Sequence, residues 1–199
     1  MAGTLAPITA DVTTTGAQNY GEDVTLGANV TFTGGGAAEA VNFGGTLTGA
    51  GNDLTVSGGG AFAGAVSGVG ALSADSVDSE STIVATSLNV TGVSELGGNV
   101  TTTGDQDFGG NVTLTADVEL DGATIDVTGN VAGPHNLILD STATDVSGTI
   151  GNTLIDLTVE TGPLTAGTVD ITGNLNADQN VTTDTGSVLV DGNVDSEGT

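Results

Sequence analysis

Apolar and polar residues alternate with period two over short stretches along the whole chain. In the clearest run, Val24, Leu26, Ala28, Val30 and Phe32 alternate with Thr25, Gly27, Asn29, Thr31 and Thr33. A second run sets Val112, Leu114, Ala116, Val118 and Leu120 against Thr113, Thr115, Asp117, Glu119 and Asp121. Successive side chains of an extended strand point to opposite sides, so each run predicts a strand with one apolar and one wet face. Shorter runs at Leu54 to Val56, Leu88 to Val90, Leu154 to Val159, Val169 to Ile171 and Val188 to Val190 predict further strands. Gly, Asn and Asp stand between them, residues that make turns by tolerating φ > 0 or by bonding their own backbone. No stretch carries a helical period.

The runs recur. DVTTTGAQNYGEDVTLGANVTFTGG from Asp11 aligns without gaps to NVTTTGDQDFGGNVTLTADVELDGA from Asn99. VNFGGTLTGAGNDL from Val41 pairs more weakly with IDVTGNVAGPHNLI from Ile125, and VTTDTG at Val181 begins a third copy. These starts near residues 11, 99 and 181 predict superrepeats of roughly 80 to 90 residues, each a copied set of several coils. Many short strands with frequent turns fit a sandwich, a barrel or a β-helix equally well. The copying favours the β-helix, because a solenoid buries each coil's inward side chains against equivalent residues roughly 4.8 Å above. Residues 1–199 are therefore expected to form one continuous all-β solenoid, a single-stranded parallel β-helix with no second domain. At roughly 20 residues per coil, it would have on the order of ten coils and a length of about 50 Å.

Composition narrows the core and the partners. Only 3% of residues are aromatic and 34 are Gly, so any core must be thin and repetitive, yet 37% hydrophobic residues spread evenly are too many for a disordered acidic tail. The chain has no Lys or Arg and 25 acidic residues, a formal charge of -25. Without a permanent cation it cannot neutralise phosphates or sit on an anionic leaflet, which excludes nucleic acid and acidic membranes as direct partners. Carboxylate and carbonyl oxygens are the natural ligands of divalent cations, so no cofactor is required and calcium is the one to test. Absence of Cys removes disulfides, thiolate metal sites and thiol nucleophiles. No window approaches the roughly 20 apolar residues of a spanning helix. No basic leader with an apolar run stands near Met1, so any export signal is expected upstream or already removed.

The units TTTGAQNYGEDVTLGANVTFTG and TTTGDQDFGGNVTLTADVELDG, with GAGNDLTVSGGG and AFAGAVSGVGALSADSV between them, resemble the tandem repeats of large filamentous-haemagglutinin-like exoproteins. The resemblance spans most of the chain. It implies a right-handed parallel β-helix, extracellular or on a cell surface, with a structural or adhesive role and no catalysis. Adhesin stalk, surface layer and self-assembling fibre are the forms this role takes. The implied partners are further copies added end to end or neighbouring repeats of a longer chain, together with cell-surface or host glycans and proteins. Two features depart from the family: its secretion domain is not visible, and the total lack of Lys and Arg is extreme.

Several residues are candidate sites, each with a plainer alternative. GAGNDLTVS, from Gly49, is similar to the glycine-aspartate calcium repeat, with Asp53 as the ligand, but Thr55 stands where that repeat needs an apolar residue; the alternative is an ordinary glycine turn. Asp117, Glu119 and Asp121 fall on one side of a predicted strand roughly 7 Å apart, and could hold calcium loosely or form a solvated face screened by salt. Asp105 with Asp107, and Asp75, Asp78 and Glu80, are similar clusters at predicted turns. A polysaccharide lyase needs a cation or strong base at the enolate, and Lys and Arg are absent; a two-carboxylate glycosidase stays possible. His135, beside Pro134, is read as a surface turn residue. Five Asn-Val-Thr triplets, at Asn29, Asn89, Asn99, Asn111 and Asn180, are formal N-glycosylation acceptors or simply corners, with Asn turning, Val inward and Thr outward. Thr31 with Thr33, Thr46 with Thr48, and Thr113 with Thr115 raise ice binding, which needs a flat regular threonine array.

Overall fold

The alternation becomes a three-sided coil. A computed structural model describes residues 6–35, 40–151, 153–184 and 186–196. Its 24 strands form one parallel sheet wound into a β-solenoid of about nine turns, with no helix among the described residues. Each turn contributes a short strand to each of three faces. Val30–Thr33 stacks on the first face, Val41–Phe43 on the second and Leu47–Thr48 on the third. The run from Val24 to Phe32 is therefore two strands. Val24–Thr25 lies on the third face and Val30–Thr33 on the first, with residues 27–29 turning the corner between them. A bend of the same kind divides Val112–Leu114, on the second face, from Val118–Val127, which begins on the third. Period-two parity survives the corner, which is why the two strands read as one.

Strand pairing piles equivalent side chains into columns. On the first face one inward column passes through Val12, Phe32, Val56, Ala74, Val90, Phe108, Val127, Val146, Ala166 and Thr183. On the third face Val24, Leu47, Val66, Ile83, Val100, Leu120, Leu139 and Val159 form another. These side chains are almost all at 5% exposure or less, a thin core that fills the rod's interior. Coil length is not constant. The step is 24 residues at Asn29 to Asp53 and 17 at Gly58 to Asp75.

The internal copies do not superpose by whole turns. Val12–Thr13 lies on the first face, whereas its sequence equivalent Val100–Thr102 lies on the third. Likewise Gln18–Tyr20 occupies the second face and Gln106–Phe108 the first. The copied unit is a run of strands that ends partway round a coil, rather than the set of complete coils expected from the sequence. All three faces accept it because each demands the same inward and outward parity.

The two copies share a buried glutamine. Gln18 Nε2 donates to Val12 O and Thr33 O, at 3.1 and 2.8 Å; Gln106 Nε2 donates to Val100 O and Asp121 O, at 3.1 and 2.8 Å. Each glutamine ties a strand carbonyl of its own coil to one in the coil above. In the first copy Tyr20 OH donates to Gln18 Oε1 at 2.9 Å, and burial pushes the Tyr20 phenol up from its ordinary range. In the second copy Phe108 stands in its place and the buried Gln106 Oε1 has no partner. Restoring the donor with Phe108→Tyr is expected to stabilise the rod by about 1 kcal/mol, while Tyr20→Phe costs about the same. Chemical denaturation of both variants checks this, and an unstable Phe108→Tyr would mean the central coil lacks room for a hydroxyl.

Four of the five aromatic residues gather at one end. The rings of Tyr20, Phe43 and Phe62 lie in register on the second face, stacked at centroid separations of 5.3 Å and interplanar angles of 13° and 9°. Phe32 meets Tyr20 and Phe43 edge-on, also at 5.3 Å. Gly60 lies beneath this stack: a Cβ there would come within 2.9 Å of the Phe62 ring, so the inward glycine lets the ring lie flat.

Candidate functional site

Two kinds of outward ladder decide what the surface can do. The first runs along the corners, where an Asn or Asp oxygen accepts a backbone N–H from the coil above. Asn111 Oδ1 accepts from Asn130 N at 2.9 Å, and Asn130 Oδ1 from Thr149 N at 2.8 Å. Asp156 and Asn174 continue the motif on another corner, and Asp23 accepts from Thr46 N at 2.8 Å. That backbone hydrogen bond holds the Asp23 carboxyl below its usual range. Corner amides turned outward by the bend would otherwise lack a strand partner, so the side chain supplies one.

Two of the calcium candidates belong to this ladder. Asp53 Oδ1 accepts from Ala71 N at 2.8 Å and Oδ2 from Asn29 Nδ2 at 2.9 Å. Asp117 Oδ1 accepts from Asn136 N at 2.9 Å and Oδ2 from Asn136 Nδ2 at 3.2 Å, with His135 Nδ1 at 3.8 Å from Oδ1. Asp117 lies on a corner, so it is separated from Glu119 and Asp121, which point outward from the third face. Glu119 accepts from Asn99 Nδ2 at 3.1 Å, and Asp121 stacks beneath Asp140, which Thr161 engages. A shallow groove of about 180 Å³ runs between Asn99, Asp117, Glu119, Asn136 and Ile138. Here amide donors already face the carboxylates. Among the described residues no three His, Asp or Glu side chains are placed to hold a metal ion.

The second ladder was not visible as a cluster in the sequence. Asp107, Asp126 and Asp145 are directly opposite one another on three successive coils of the first face, continuing upward from Asn89. Adjacent members are separated by the strand spacing of roughly 4.8 Å. Asp105 flanks the row and accepts from Thr124 Oγ1 at 2.8 Å. The Asp126 carboxyl is pushed above its ordinary range, first by partial desolvation, then by the charges of Asp107, Asp145 and Asp105. A shallow groove of about 330 Å³ follows the row past Asn89, Thr91, Asp107, Gly109, Asp126 and Thr128. Asp105 and Asp107 were singled out by their spacing; Asp126 and Asp145 were missed because they are distant in the chain.

A local motif nonetheless marks all three positions. Asp107-Phe-Gly-Gly110, Asp126-Val-Thr-Gly129 and Asp145-Val-Ser-Gly148 follow one pattern, which Asn89-Val-Thr-Gly92 begins with an amide. The acid points outward, the next residue inward, and the glycine turns the corner. Those glycines stack as well: a Cβ on Gly110 would lie 2.6 Å from Gly92 O, and one on Gly129 2.6 Å from Gly110 C.

The remaining candidates are divided by the same geometry. Asn29, Asn99 and Asn111 use their side chains in corner bonds, but Asn89 sits mid-strand on the first face rather than at a corner. The threonine pairs fall on different faces: Thr31 and Thr33 on the first, Thr48 on the third and Thr113 on the second. They form no single flat array. The chain matches no protein-family model, no curated protein and no solved structure.

Proposed function

We propose that this chain is a non-catalytic structural rod, part of an extracellular or cell-surface protein of the filamentous-haemagglutinin-like kind. The observation that carries the reading is the parallel stack itself: each of the three faces repeats coil after coil, inward aliphatic columns fill the interior, and the grooves beside Asp107 and Glu119 are shallow. Rigidity along one axis is what a stalk or fibre requires. Among the described residues, the coil formed by Val181–Thr183, Val188–Val190 and Val194–Ser196 pairs only with the coil below it, and Val188, Leu189 and Val194 are 44%, 55% and 62% exposed. A further coil, from a second copy or from neighbouring repeats of a longer chain, would cover them. Surface glycans or proteins are the partners proposed for its faces, with calcium as a diffuse counter-ion to the acidic surface.

Purified rods examined by negative-stain microscopy and size-exclusion chromatography test this. At pH 7 the expected particle is a rod of about 45 Å, kept apart by its charge. Near the sequence pI of about 4.1 the repulsion vanishes and end-to-end association is expected. Globular particles would remove the scaffold reading, and short single rods at every pH would remove self-stacking. The groove beside Asp107 and Asp126 favours a second reading, two-carboxylate hydrolysis of a polysaccharide. Release of reducing ends from polysaccharides, abolished by Asp126→Asn, would put that reading first.

A further inference from the structure

We infer that the row Asp107, Asp126 and Asp145 is a pH-responsive seam, loosening three central coils at neutral pH and tightening them as acid lets neighbouring carboxyls share a proton. The inference rests on the coil geometry alone and holds whichever role the rod has. Strand pairing holds the three side chains opposite one another, so they cannot separate without breaking the register of the first face. From the coil below, Asp105 and Asp107 face Asp126; from the coil above, Asp145 does. On its own strand the other acids, Glu119 and Asp121, lie round the corner on the third face. Nothing positive offsets them: the chain has no Lys or Arg, and its one histidine, His135, sits beside Asp117 on a different corner.

The direction of the effect follows from linkage. The Asp126 carboxyl is raised in the folded protein, so between the ordinary and the raised value the folded chain holds a proton that the unfolded chain has released. Stability is therefore gained as pH falls through the raised value, is complete below the ordinary carboxylate range, and is lost again as pH rises. Like-charge repulsion at an exposed row is also screened by salt, which gives a second handle.

The test compares Asp126→Asn with Asp170→Asn by thermal unfolding at pH 7 and pH 4.5, in low and in 1 M salt. Asp170 has Gly151 and Leu189 as its row neighbours, so its removal takes away one charge without touching a carboxylate row. Asp126→Asn is expected to raise Tm at pH 7 by about 2 °C or more, to flatten the rise toward pH 4.5, and to lose its advantage in high salt. Carboxyl NMR should find Asp126 titrating above the ordinary aspartate range. Equal gains from both variants would reduce the effect to net charge and overturn the seam, as would an unchanged Tm for Asp126→Asn or an ordinary titration of Asp126.

Discussion

Phe43→Ala is expected to lower the stability of the rod by about 3–5 kcal/mol, the cost of removing a fully buried aromatic side chain. Phe43 is 1% exposed and is the middle ring of the stack, lying flat between Tyr20 and Phe62 and meeting Phe32 edge-on. Its loss leaves a void that neighbouring coils cannot close, because backbone hydrogen bonds fix their spacing. Stacking with several partners adds to the transfer cost. Phe43→Leu keeps most of the volume and should cost much less. In a solenoid each coil contacts only its neighbours, so the damage should be local. Hydrogen exchange should show lost protection in Gln18–Tyr20, Val41–Phe43 and Gly60–Phe62, with strands beyond Val100 protected as before. Uniform loss along the chain would mean that the rod unfolds as a single unit instead.

The aromatic stack shows where sequence reasoning reaches and where it stops. Parity alone places Tyr20, Phe43 and Phe62 inward, since each alternates with a small or polar neighbour. Parity does not say which inward residues share a column, because that depends on coil length, which varies from 16 to 24 residues among the described strands. For the same reason the alternating run from Val24 to Phe32 was legible as β structure but not as two strands on two faces. Parallel pairing and a repeated core could be read from the internal copies. Their third-of-a-turn displacement could not, since all faces obey one pattern. Gln18 and Gln106 were overlooked as core residues despite sitting at inward positions in both copies, a signal that polar identity masked.

Candidate sites were legible only where acids are close in sequence. Asp117, Glu119 and Asp121 obey strand parity, yet the corner takes Asp117 out of the group and gives its oxygens to Asn136. Spacing along a strand therefore overstates their convergence. Asp107, Asp126 and Asp145 are brought together by a step that matches the local coil, and they are recognisable afterwards through the Asp-x-x-Gly pattern that each begins. The same short pattern thus sets both surface charge and corner geometry.

That corner geometry makes Gly129 the second position where a single methyl group should matter most. A Cβ there would lie 2.5 Å from Asn111 Oδ1 and 2.6 Å from both Asn111 N and Gly110 C, too close to rigid backbone for any rotamer to relieve. Gly129 does not have a left-handed φ, so close approach of coils, not turn flexibility, is what excludes a side chain. To admit the methyl the coil must move outward, which strains the bond from Asn130 N to Asn111 Oδ1 at 2.9 Å and that from Val112 N to Asn130 O at 2.8 Å. Overpacking costs about 1–3 kcal/mol and a weakened hydrogen bond about 1 kcal/mol, so Gly129→Ala is expected to lose about 2–4 kcal/mol. Gly21 is the control, with nothing within 4 Å of a Cβ, and Gly21→Ala should be neutral or slightly stabilising through the unfolded chain. Urea unfolding of the pair separates the two roles of glycine in this rod. If both substitutions prove harmless, the coils do not meet at the spacing on which the glycine column depends.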